Sequence, residues 1–162
     1  MKRVIIMVFA ILLPMVVMGQ VRQINQILDK YEKKRNVESI LVSPSLLQGA
    51  GGSNVDAKTK DLLSKITELR IVTVRSNATE DGVPVARTLR EEIDKVVSAT
   101  NMKRVIRVQD EKDLLEMFMT SGSEGLLLFI SSGSQEFSVI SIFGNIDNSI
   151  VNAALAGDIK VK

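Results

Sequence analysis

Between residues 103 and 143 four apolar runs follow one another with only short breaks, and this spacing constrains the fold more than any other feature of the chain. The runs are KRVIRVQ (103–109), DLLEMFMT (113–120), GLLLFISS (125–132) and EFSVISIF (136–143). Successive side chains of a strand point to opposite faces, so alternation of apolar residues marks strand rather than helix. The breaks contain Asp110-Glu111, Ser121-Gly122 and Ser132-Gly133, which is turn chemistry. Connections this short make neighbours antiparallel, because a parallel pair needs a crossover of about a dozen residues. DLLEMFMT also fits a short helix, but the alternation of Leu115, Met117 and Met119 and the turn after it favour strand.

The first half carries a different period. Val21, Ile24, Ile27, Leu28 and Tyr31 recur at helical spacing, so residues 21–35 read as an amphipathic helix with Asn36 as its stop. VESILVS (37–43) is a first strand, ended by Pro44 and Ser45. A helix runs from Asp56, its candidate N-cap, to about Lys65, with Leu62, Leu63 and Ile66 inward. ELRIVTVR (68–75) is a second strand, and residues 77–82 form a polar loop. The longest helix covers 84–100, with Pro84 in its first turn and Leu89, Ile93, Val96 and Val97 on its buried face. A final helix, about 148–156, starts from Asp147 as N-cap. The expected fold is therefore α+β. It is a two-layer sandwich whose mixed, mostly antiparallel sheet of about six strands carries helices on one face.

The N-terminus reads as an export signal. Lys2 and Arg3 precede an apolar stretch from Val4 to Met18, and small Gly19 precedes polar Gln20. The competing reading is a retained anchor, but a helix of that length spans about 22 Å against a hydrocarbon core of about 30 Å. Residues 1–19 are thus expected to be a signal peptide and 20–162 a single domain in the periplasm or outside the cell. No lipid anchor is expected, since the chain has no cysteine to carry one.

Residue types exclude several chemistries. With no cysteine and no histidine there is no disulfide, no thiol nucleophile, no Ser-His-Asp triad and no Cys/His zinc site. Removing Lys2 and Arg3 from a formal net charge of +2 leaves none, so no nucleic-acid partner is expected. The glycines of 49–54 lack the Gly-Lys-Ser/Thr of a phosphate loop. Asn77-Ala78-Thr79 matches a glycosylation pattern and reads as plain loop. Glu91, Glu92 and Asp94 interleave with Arg87, Arg90 and Lys95, the pattern of an ion-paired helix surface. Asp110, Glu111 and Asp113 crowd one turn, where Lys112 argues against a cation. No catalytic residue, cofactor or metal is expected.

Five segments, LDKYEKKRNVESILVS (28–43), LLSKITELRIVTV (62–74), LREEID (89–94), RVQDEKD (107–113) and FSVISIFGNID (137–147), occur in an order that resembles the domain-of-unknown-function family 4252. The resemblance covers nearly all of residues 20–162. It implies a small exported protein of Bacteroidetes with no catalytic residues to carry over. By gene association it also implies a place near extracytoplasmic sigma-factor systems in envelope sensing. One departure is Asn101-Met102, where the family often has a tyrosine.

What remains is a surface. In the last strand Phe137, Val139 and Phe143 share one face, and Ile140 and Ile142 the other. A sheet with helices on one face needs only one apolar face. Either a loop or the final helix covers the second one, or it docks a partner. Phe137, Val139 and Phe143 are the candidate interaction surface, with self-association or another envelope protein as the partner. The alternative function is a periplasmic binding protein for a small apolar or lipid ligand. A carboxylate-based hydrolase is a third reading.

Overall fold

A computed structural model describes residues 19–43, 45–46, 49, 57–100, 102–120 and 125–155. The segment expected as an export signal, through Met18, lies outside them, as do the strand stop Pro44, the 50–54 stretch, the candidate cap Asp56, Asn101 and the Ser121-Gly122 turn. The elements with defined bounds among the described residues are α1 (Gln20–Tyr31), β1 (Val37–Val42), α2 (Ala57–Lys65), β2 (Ile66–Arg75), β3 (Thr79–Glu80), β4 (Val83–Pro84), α3 (Val85–Ala99), β5 (Lys103–Asp110), β6 (Asp113–Met119), β7 (Leu126–Ser132), β8 (Glu136–Gly144) and α4 (Asn148–Leu155). Among the described residues no helix is long and apolar enough to cross a membrane.

The α+β class and the sheet of six strands stand as expected. Its order is β1-β2-β8-β7-β6-β5. Every pairing is antiparallel, so the sheet is not mixed. β5 to β8 form the meander that the turns required. The chain then closes the sheet by laying β8 along β2, with Val72 opposite Val139 and Ile71 opposite Ile140. β3 and β4 form a small hairpin that begins in the expected polar loop, extends past it to Pro84 and leads into α3.

Two long helices cover the first face. Ile24, Leu28 and Tyr31 on α1 and Val85, Leu89 and Ile93 on α3 recur at helical spacing, and all are buried. They pack on Val72, Val74, Leu128, Ile130, Phe137 and Val139. Burial of one such aliphatic side chain stabilises the fold by about 2 kcal/mol. The Tyr31 hydroxyl and the Lys30 ammonium both donate to Glu92 Oε1, at 3.0 and 2.5 Å, tying α1 to α3.

The expectation put helices on one face and left the final helix as one possible cover for the other, and that helix does pack there, with α2 beside it. Leu62 of α2, Val151 of α4 and Ile146 pack on Ile66, Leu69, Met117 and Ile142. The sheet is apolar on both sides, so a second layer forms over it, but two short helices reach only part of its breadth. Lys65 fixes them to each other, pairing with Asp61 and Asp147 at 2.9 Å each. Asp147 caps α4 as expected, its Oδ1 accepting the Ser149 amide at 2.9 Å.

Two glycines allow the crossing beneath α2. Gly125 has φ +57°, and a Cβ there would lie 1.6 Å from the Gly144 carbonyl oxygen. Gly144 donates its amide to the Gly125 carbonyl at 2.9 Å, and its own Cβ would meet the Lys65 carbonyl oxygen at 2.0 Å. Only glycine permits three backbone segments to approach this closely.

Candidate functional site

Phe137, Val139 and Phe143 do share a face, but it is the face under α1 and α3. All three are buried in the main core. The correction has a simple cause: alternation says which side chains point together, not which side the helices choose. They are core side chains and cannot form a docking surface.

The exposed apolar side chains lie elsewhere. β1 is one edge of the sheet, and its Ile40 and Leu41 are 55% and 56% exposed. Ile40 stands opposite Ile71, which stands opposite Ile140, so an apolar row runs inward from the edge across the second face. Towards the other edge, Leu115 and Val108 are opposite one another and also exposed. α2 and α4 leave these positions open.

The two edges differ. β5 breaks its register between Arg104 and Ile106, and it carries Lys103, Arg104 and Arg107. A bulge and a row of basic side chains are the usual protection of an edge against strand addition. β1 pairs with β2 without a register break, and Glu38 is its only charged residue.

A second constellation sits on the first face, where α3 meets β5 and β6. Glu116 is a carboxylate in the middle of an apolar strand, and it is 1% exposed. Its Oε2 accepts from Arg90 Nη2, and its Oε1 accepts from Arg104 Nη1 at 3.0 Å. Arg107 Nη1 lies 3.9 Å from the same oxygen. Arg90 also donates its Nε to both oxygens of Asp94, one turn along α3, at 2.9 Å. The sequence alone showed Arg90 and Asp94 as part of an exposed ion-paired surface. That describes Arg87 and Glu91, whereas Arg90 folds inward to Glu116. These groups line an open cleft of about 540 Å³, with Ser98, Val97, Met102 and Phe118 completing it.

Burial alone would raise the Glu116 pKa, but the hydrogen bonds from Arg90 and Arg104 outweigh it and hold the carboxyl below its ordinary value of 4.5. Burial likewise works against the Arg90 charge, and Asp94 and Glu116 more than restore it, so its pKa is raised. A depressed carboxyl pKa means that the unfolded chain binds the proton more tightly. The stability from Glu116 is therefore complete above the ordinary carboxyl value and lost as pH falls through the lower folded value. The unfolding temperature is expected to drop between roughly pH 5 and pH 3, and to drop less in Glu116→Gln. Equal drops in both proteins would show that other carboxyls govern the acid limb.

The remaining candidates behave as surface chemistry. Asp110 pairs with Asp113 across the β5–β6 hairpin, with Glu111 at φ 45° in its turn. Among the described residues no group of three carboxylates is placed to hold a metal ion. Glu116 escaped the sequence reading, although a lone carboxylate in an apolar strand is a legible sign of a buried partner.

No curated protein and no solved structure matches the chain. A family model does match, over residues 31–154, from the last residue of α1 through nearly all of α4. With most of the chain and every strand of the sheet inside that match, the protein belongs to the family described as a domain of unknown function, DUF4252.

Proposed function

We propose that this domain is a non-enzymatic interaction module of the cell envelope that associates with a second copy of itself through β1. The unprotected β1 edge carries the reading: Ile40 and Leu41 are both more than half exposed, and they flank the strand on opposite faces. An edge strand offers a row of unpaired amides and carbonyls, and another strand is what satisfies them. A two-fold centred on Leu41 sets that residue against its counterpart and Ile40 against Val42, in antiparallel register. Glu38 then lies outside the paired segment, and the apolar row from Ile140 through Ile71 to Ile40 continues into the partner's sheet.

Export rests on Lys2, Arg3 and the apolar stretch to Met18, and a non-enzymatic role on a chain without histidine or cysteine. A place beside extracytoplasmic sigma-factor signalling rests on the family resemblance alone. Filling of the space between α1, α3 and the sheet by Leu28, Leu89, Ile93, Leu128 and Val139 favours this reading over an apolar ligand held there.

Light scattering across a dilution series tests it. The protein is expected to have twice the chain mass at micromolar concentration, and Leu41→Lys to have the mass of one chain with an unchanged unfolding temperature. A single-chain mass for the parent throughout the series overturns self-pairing.

A further inference from the structure

We infer that the cleft between the C-terminal half of α3 and strands β5 and β6 binds a carboxylate group carried by a larger ligand, with Arg104 and Arg107 as its clamp. The site is independent of the β1 edge and lies on the opposite face at the far side of the sheet.

Three observations lead there. The first is the state of the guanidiniums. Arg104 uses only Nη1, on Glu116, so its Nε and Nη2 are available as a fork. Arg107 donates Nη2 to Gln109 at 3.2 Å, and its Nη1 is beyond hydrogen-bond distance of Glu116. Both side chains are half exposed, and both line the cleft. Arginine forks match the geometry of carboxylates and phosphates.

The second is the role of Glu116. Burying a carboxylate is costly, and this one does not neutralise its surroundings. Arg90, Arg104 and Arg107 face Asp94 and Glu116, an excess of one positive charge. One carboxylate balances that excess, whereas a phosphate dianion overfills it. Glu116 therefore holds the arginines in place from beneath without consuming their outward donors, which is how a site for an anion is preorganised.

The third is size. A cleft of about 540 Å³ is far larger than a carboxylate, and Val97 and Ser98 extend its lining along α3. The ligand thus has a body beyond its anionic end. A peptide terminus and a small free acid share that chemistry.

Calorimetric titration of the purified full protein at low salt separates them, with acetate, acetyl-tetra-alanine as the free acid, and the same peptide as its C-terminal amide. The free-acid peptide is expected to bind, the amide to bind at least about tenfold more weakly, and Arg104→Gln and Arg107→Gln each to weaken the free acid about tenfold. Acetate binding as tightly as the peptide assigns the site to a small acid, and much weaker acetate binding assigns it to a chain terminus. Arg104→Lys keeps the charge and loses the fork, and it is expected to fall between the parent and the glutamine variant. Absence of binding by any probe overturns the inference. So does equal binding of acid and amide, or full affinity in the glutamine variants with amide spectra unchanged.

Discussion

Alanine at Gly125 is expected to destabilise the fold by about 3 kcal/mol, enough to leave much of the protein unfolded at moderate denaturant. Two costs combine. A left-handed backbone conformation penalises any Cβ by about 1–2 kcal/mol. The added carbon also lands 1.6 Å from the Gly144 carbonyl oxygen, which is backbone and cannot swing aside as a side chain would. To relieve it, β7 and β8 must part at the point where Gly144 is already held against Lys65. Gly82→Ala separates the two costs, because Gly82 has φ +77° and nothing within 4 Å of its missing Cβ. That variant is expected to lose only about 1 kcal/mol. Denaturant unfolding of both provides the comparison, and equal losses would mean that the crossing is looser than the structure has it.

Glu116→Ala is expected to cost about 3 kcal/mol and to lower the unfolding temperature by about 10 °C. The loss comes less from the missing hydrogen bonds than from what is left behind. Arg90 is drawn towards the sheet and is only partly solvated, so removal of its acceptor leaves a poorly compensated charge. Arg104 and Arg107 are half exposed and recover water, which is why the figure stays at the low end for a buried pair. Asp94→Ala is the matched control. Asp94 pairs with the same arginine but is about half exposed, and its loss is expected to cost less than about 1 kcal/mol. Calorimetric unfolding of the two variants at neutral pH decides the matter. Similar losses would place the weight of the cluster on Arg90 and Asp94 rather than on the buried carboxylate.

Local periodicity made most of the elements legible. The four meander strands differ from their expected bounds by a residue or so, because alternation and turn residues agree at every break. The helix on Leu89 and Ile93 was equally plain, although Pro84 stands just before it rather than inside it. What the sequence could not show is anything that depends on two distant segments meeting. Pairing of β8 with β2 is one such fact, and coverage of the second face by α2 and α4 is another. The face of Phe137, Val139 and Phe143 turned on the same question: their alternation was read correctly, but the side taken by α1 was not encoded in it. The arginine cleft was hidden for a related reason. A bulge in β5 brings Arg104 and Arg107 to the same face, whereas strict alternation places residues three apart on opposite ones.

The position of β8 also sets a timetable for the chain. β8 is the last of the described strands to be made, yet it lies inside the sheet, between β2 and β7. A ribosome that has released everything up to Ser132 has delivered two separate strand groups with no seam to join them. Closure waits for β8 to be complete at Gly144. A keystone made after the strands on either side of it leaves both groups open until it arrives.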